Sequence, residues 1–387
     1  MKKTILIGAA GLVTGVIGYI YGRSRSTITT NDSAGMNKSE QYPLRLGVPE
    51  DDPTTSLGCD QTFNINHNKH INVLITGAGS YIGTSFESYC KEHYPNISIT
   101  TLDMQKSDWK SDEVWKSGID CVFHVAGIAH ADVSKPDADT IETYYRVNTD
   151  LAIETAEKAK DAGVHQFIFM SSMIVYDTST DGRVSRTTIP HPSNFYGDSK
   201  WQGDKGIRAL ASSFSTSASA SASEDDSGKK DGKEKDKGVF ETAILRPPMI
   251  YGRGSKGNYP TLSRLARRLP FFPAVRNHRS MLYIENLCEF VSLLALSGSG
   301  GIFFPQNREY SNTSELVTMI ASAAGKKVTL SKLLTAAVWL CQRIPGKVRN
   351  LSNKAFGSSW YEMGISEYSG LDYQVVGLEE SIRRTEE

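Results

Sequence analysis

The stretch from Ile71 to Gly83, INVLITGAGSYIG, constrains this chain more than any other. Ile71, Val73, Leu74 and Ile75 read as a buried strand, a glycine-rich turn follows at once, and Thr84-Ser85-Phe86-Glu87 can start a helix. Strand, tight glycine turn and helix in that order suit a dinucleotide pyrophosphate. Glycine lets the backbone approach the phosphates, and the free N–H groups of the helix start face the negative charge. The spacing is G-x-G-x-x-x-G, through Gly77, Gly79 and Gly83, rather than the plain dehydrogenase fingerprint. Alone, such a cluster supports only a phosphate-binding turn.

At 387 residues the chain can hold one large or two moderate domains with a real core. Its net charge is zero, so composition implies no basic face for nucleic acid. The five cysteines are odd in number, far apart and never in a C-x-x-C pair, which argues for reduced thiols and against a disulfide framework or a zinc site. His67 and His70 have no further ligand nearby and read as solvated loop histidines, so no metal is expected.

Between Lys3 and Arg23 lie 19 uncharged residues, TILIGAAGLVTGVIGYIYG. As a helix they span about 28 Å, against a hydrocarbon thickness of roughly 30 Å. The preferred reading is a single anchor helix within residues 1–23, tethering the protein through residues 4–22. A cleaved secretory signal is disfavoured because no A-x-A-like site follows. The third reading is a decoy of the glycine turn, for ILIGAAGLVTG has the look of one but no second strand or acidic ribose ligand after it. Basic residues on both flanks leave the orientation open. Residues 24–70 are rich in Ser, Thr, Asn and Asp and lack periodicity, which reads as a flexible linker.

From Ile71 the chain alternates strands and helices, the pattern of an α/β fold with a doubly wound parallel sheet of Rossmann type. Ile97 to Leu102 is a second strand, ending at Asp103, 26 residues after Gly77. An acidic group there accepts hydrogen bonds from the adenosine ribose and repels a 2′-phosphate, so NAD is expected rather than NADP. Asp120 to Gly127 is a short apolar strand running into a small-residue loop, Asn148 lies on a helix, and Gln166 to Met170 is a strand ending in Ser171-Ser172. Tyr196-Gly197-Asp198-Ser199-Lys200 is Y-x-x-x-K at the start of a predicted helix. That spacing puts tyrosine and lysine on one face, where the ammonium can lower the phenol pKa from about 10.

TGAGSYIG, FHVAGIAH, the Asn148 helix, FIFMSSMIVY, YGDSK and LRPPMIYG stand in the order seen in the extended short-chain dehydrogenase/reductase superfamily. The chain resembles its NAD-dependent epimerase/dehydratase family of nucleotide-sugar enzymes, over about residues 71–305. The resemblance implies that Tyr196 is the acid/base. Lys200 lowers its pKa and holds the nicotinamide ribose, and Ser172 orients the substrate hydroxyl. It also implies cofactor contacts from Gly77, Gly79, Ser80, Tyr81, Ile82, Gly83, Asp103 and Ala126. Ser80 stands where that family has the middle glycine of T-G-x-x-G-x-x-G; a serine can still fit beside a phosphate and donate to it.

Residues 71–245 are thus expected to form the NAD-binding domain, interrupted by a disordered insertion at about 212–238 whose Ser/Ala and charged runs lack apolar content. Residues 246–387 would form the substrate region with a small C-terminal substrate-binding lobe. There Arg279, in a segment similar to the family's R-D-Y-I-H-V, is the expected diphosphate ligand, with Asn258 in a loop suited to phosphate contacts. Met249 stands where many sugar epimerases have asparagine, which argues against UDP in particular. Leu330 to Cys341 reads as a short apolar core helix.

The function expected is epimerisation of an NDP-sugar at C4 with bound NAD, in a cytoplasmic catalytic domain, with a homodimer as the family's common state. Dehydration is disfavoured because Met173-Ile174, not an Asp-Glu pair, follow Ser172. Two rivals remain: a reductase of an NDP-4-keto sugar, and an NAD-binding scaffold without turnover.

Overall fold

The computed structural model describes residues 57–129, 137–178, 182–211, 239–344 and 346–387. The anchor expected at 4–22, most of the expected linker and the insertion expected at 212–238 lie outside the described residues.

In chain order the first half holds β1 (Ile71–Thr76), α1 (Tyr81–His93), β2 (Ile97–Leu102), β3 (Cys121–His124), α2 (Ala138–Tyr145), α3 (Leu151–Asp161), β4 (Gln166–Met170), β5 (Arg183–Val184) and α4 (Phe195–Arg208). The second half opens with β6 (Glu241–Leu245), β7 (Met249–Tyr251), α5 (Asn258–Ala266), β8 (Phe271–Pro273), β9 (Met281–Tyr283), α6 (Ile284–Ser297) and β10 (Gly301–Phe303). It continues with α7 (Thr313–Ala323), β11 (Thr329–Ser331), α8 (Lys332–Cys341), α9 (Lys347–Phe356), β12 (Trp360–Tyr361) and α10 (Leu378–Glu386).

Six strands pair in parallel in the order β2-β1-β3-β4-β6-β10. Val73, Leu74 and Ile75 are apolar at consecutive positions because both faces of β1 are covered. Val73 and Ile75 join a core with Phe86 of α1 and Leu287 and Val291 of α6, whereas Leu74 joins one with Ala152 and Ala156 of α3 and Trp201 of α4. Helices therefore pack on both faces, the doubly wound arrangement. After β2 the chain crosses to the other side of β1 to form β3, so the carboxyl ends of β1 and β3 flank a topological switch point.

Three local features differ from expectation. Helix α1 begins at Tyr81, three residues before the expected Thr84, because Ser80 caps it. Residues 57–63, counted with the linker, lie against the sheet: Leu57 bridges Ile302, the Phe63 amide donates to the Ser369 carbonyl at 2.8 Å, and the Phe63 ring meets Phe303 and Tyr368. Helix α8 buries Leu334, Ala337, Val338 and Cys341 but leaves Leu333 and Trp339 exposed, so it is only half a core helix.

Candidate active site

Gly77 has φ +93° and Gly79 φ +72°, the left-handed region that favours glycine. A Cβ on Gly77 would stand 2.9 Å from the Ala126 nitrogen, so glycine is what lets the ends of β1 and β3 meet. Nothing lies within 4 Å of a Cβ placed on Gly79, so that side of the turn is open. Gly83 packs α1 on β1, where a Cβ would meet Ile75 Cγ2 at 3.1 Å. Ser80 Oγ accepts from the Gly83 amide at 3.1 Å, a true N-cap. Tyr81 and Ile82 open the first helical turn, where backbone N–H groups have no acceptor within the helix. The Gly77 amide donates to the Leu102 carbonyl at 3.1 Å, so Asp103 emerges beside the glycine turn; its Oδ1 also accepts from the Gln105 amide.

Helix α4 carries the second half of the constellation. Asn194 caps it through the Gly197 amide, which sets Tyr196 in its first turn. Tyr196, Lys200 and Asp204 recur every four residues along one face. Ser172, half-buried at the end of β4, is hydrogen-bonded to the Tyr196 hydroxyl and accepts from the Ile174 amide at 3.2 Å. Burial pushes the Tyr196 phenol up to about 12, against the Ser172 bond that lowers it; Tyr144, its ring edge-on 5.7 Å away, adds to the rise.

Lys200 is buried, donates to the Met170 carbonyl at 2.9 Å and lies over the Phe169 ring. Burial pulls its ammonium down to about 8. In this arrangement the Lys200 ammonium is hydrogen-bonded to Met170, and burial, Ser172 and Tyr144 set the Tyr196 phenol. A Cβ on Gly127 would stand 2.9 Å from Lys200 Nζ and 3.1 Å from Asn148 Oδ1, so a side chain there would have to displace the Lys200 ammonium.

Beneath this face lies a polar network the sequence reading missed. Asp204 is fully buried and takes two bonds from Arg246, at 2.8 and 2.9 Å, and one from Arg208 at 2.9 Å. Ser171 donates to the same carboxylate at 3.2 Å, and Arg246 also donates to Tyr176. The two guanidiniums hold the carboxyl below its ordinary range although burial alone would raise it. The network ties α4 to the ends of β4 and β6. Its signal was present in Asp204, the next step of the Tyr196–Lys200 stripe. Asn148, on the expected helix but given no role from sequence, is buried in a π-helical segment, Arg146–Asp150, and bonds both the amide and the carbonyl of Ile128, so it holds the loop after β3.

The expected substrate residues are less tightly drawn in. Asn258 is exposed at the first position of α5. The loop before it, through Gly252 and Gly254, reaches the glycine turn: a Cβ on Gly252 would lie 2.7 Å from the Tyr81 hydroxyl. Arg279 donates to the Lys354 carbonyl at 2.7 Å, and its backbone bridges Ser359, whose hydroxyl meets Met173 Sδ at 3.4 Å beside Ser172. Among the described residues no group of three or more His, Cys, Asp or Glu could hold a metal ion.

The family described as the NAD dependent epimerase/dehydratase family matches residues 73–303. A UDP-glucose 4-epimerase of Vibrio cholerae is 27% identical over 71% of this chain and 81% of its own length. An N-acetyl-alpha-D-glucosaminyl-diphospho-ditrans,octacis-undecaprenol 4-epimerase of Escherichia coli O157:H7 is 25% identical over 66% of this chain and 73% of its own. Two solved structures share the fold at 17% identity. A dTDP-4-dehydrorhamnose reductase of Bacillus anthracis in complex with NADP has TM-score 0.57, covering 81% of this chain and 98% of that one. A UDP-glucuronic acid 4-epimerase of Bacillus cereus in complex with NAD has TM-score 0.56, covering 81% and 95%.

Proposed function

The chain belongs to the NAD-dependent epimerase/dehydratase family, and on that footing we propose that it inverts C4 of a diphosphate-linked hexose using tightly held NAD. The observation that carries this reading is the meeting, at the carboxyl end of one parallel sheet, of an open glycine turn with Ser172, Tyr196 and Lys200.

The residues present fit the cofactor. The turn is open beside Gly79, the Tyr81 and Ile82 amides at the start of α1 have no acceptor within the helix, and Asp103 follows the strand beside them. NAD, when bound there, supplies a carrier that takes and returns a hydride. Ser172 would hold the sugar hydroxyl against Tyr196, whose phenolic oxygen takes its proton and later returns it. A phenol raised to about 12 stays protonated near neutral pH, so the phenolate that would act as base is scarce there. Positive charge must therefore be brought to bear on it, and Lys200, one helical turn away, is the residue placed to do so. Asn258 and Arg279 are the proposed diphosphate contacts. Nucleotide-linked and lipid-linked sugars, the substrates named for the two relatives, share that diphosphate.

A reductase of a 4-keto sugar uses the same three side chains, and the shared fold includes one. Mass spectrometry separates the two. Purified protein that keeps NAD through gel filtration and interconverts C4 epimers with none added supports the epimerase. Consumption of one added reduced cofactor per product turns the assignment to the reductase.

A further inference from the structure

The C-terminal lobe carries an apolar surface that the candidate site does not use. Phe271 on β8, Leu330 on β11 and Leu333, Trp339 and Ile344 on and after α8 are all large and exposed, Trp339 by 54%. They are contiguous in the fold: β8 pairs with β11, α8 follows β11 directly, and the Ala274 amide after β8 donates to Thr335 Oγ1 on α8 at 2.8 Å. Leu333, Ala336 and Trp339 recur at three-residue steps, so α8 has an apolar stripe facing out as well as one facing in.

Charge along this part of the chain has one sign. Residues 316–361 contain seven Lys and Arg and no Asp or Glu, although the whole chain is neutral. Lys326, Lys327, Lys332, Arg343, Arg349 and Lys354 are exposed, and the Arg343 guanidinium stacks 3.4 Å over the Trp339 ring. An apolar face rimmed by basic side chains, with an amphipathic aromatic at its edge, matches the headgroup layer of a membrane. No helix among the described residues is long and apolar enough to cross one, and α8 has only ten residues, so the face would lie on a bilayer.

We propose that this face docks on a bilayer surface rich in anionic lipid, with Leu333 and Trp339 entering the interface and the lysines meeting the headgroups. A second copy of the chain is a poorer occupant, because face-to-face packing would oppose two basic rims.

The test uses full-length protein with vesicles of equimolar phosphatidylcholine and phosphatidylglycerol, or of phosphatidylcholine alone, read by hydrogen exchange. Exchange across Val328 to Ile344 should slow on the anionic vesicles only, and added salt should reverse it. The double variant Lys327→Glu with Lys332→Glu should weaken this protection about tenfold or more; its folding is checked by an unchanged melting transition. A Leu333→Ser variant, made separately, should weaken it too. Vesicle binding that leaves Val328 to Ile344 unprotected, as residues 4–22 acting alone would give, overturns the proposal. So does equal protection on neutral vesicles, or protection that grows with protein concentration when no lipid is present, which would mean a second copy covers the face.

Discussion

At Tyr196 two influences oppose each other: removal from water raises the phenol and the Ser172 hydrogen bond lowers it, and removal from water wins. Tyr196→Phe keeps the ring packed against Tyr144 but removes the transferable proton. Turnover should fall by about 10²–10⁴-fold while retained cofactor, quantified by mass spectrometry, stays near one per chain. Lys200 gives a residue-level stability signature. Its folded pKa of about 8 lies below the unfolded value near 10.5, so between those limits the unfolded chain holds the extra proton. Its contribution to stability therefore rises with pH across that window. Lys200→Met should abolish this rise, read as a wild-type-minus-variant difference in denaturant midpoint that grows from neutral to alkaline pH.

Among the elements, α1 and α4 are each set by a capping side chain and then pinned by something more distant. For α1 the cap is Ser80, at the position where the family pattern has glycine. Ser80→Ala should cost about 1 kcal/mol and Ser80→Gly only a few tenths, measured by denaturant unfolding. The opposite ranking would mean that the hydroxyl is not acting as a cap. For α4 the pin is Asp204, whose carboxylate answers Arg246 and Arg208. Asp204→Asn keeps the shape but leaves two guanidiniums short of a counter-charge, one of them fully buried. A loss of about 3–5 kcal/mol is expected, as for other broken buried pairs. Because α4 also presents Tyr196, turnover should fall in the folded remainder of the protein as well. Of these element-level features, the Tyr196–Lys200–Asp204 stripe could be read from spacing four, and the cap from a serine just ahead of a helix. The distant partner of Asp204 could not, because Arg246 is 42 residues away and reaches Asp204 only after β4 and β6 pair.

At the scale of the whole molecule the sheet separates two cores, and His124 sits where they meet the site. Its Nδ1 bonds Thr76 across β1 and β3 at 2.8 Å, and its ring lies against Phe167 and Phe169. Burial, then the Lys200 charge, pulls its pKa from 6.5 to about 3. Below pH 6.5 the unfolded chain takes up a proton that the folded chain refuses, so stability falls as pH drops toward 3. His124→Gln should flatten that part of the acid-stability curve relative to wild type, whatever it does to stability at neutral pH. The same scale decides the fate of α8: a helix apolar on all sides reads as core, and only the packed lobe shows that one stripe has no cover.

The motif INVLITGAGSYIG, the strand at Ile97–Leu102, the strand at Gln166–Met170 and, to within one residue, the helix that carries Tyr196 were all legible in the linear chain. Each rests on a preference acting within a few residues: a run of branched apolar side chains, a glycine free to take positive φ, a cap next to its helix. Such preferences also imply the parallel doubly wound class, since strands and helices that alternate have few other ways to bury both faces. The packed structure alone decided that Lys200 turns to the Met170 carbonyl, that its ammonium comes to lie against Gly127, that Leu57 and Phe63 hold part of the expected linker on the sheet, and that Trp339 is left outside. Those outcomes depend on contacts between segments far apart in sequence, where burial and charge are set by neighbours that only the completed fold supplies.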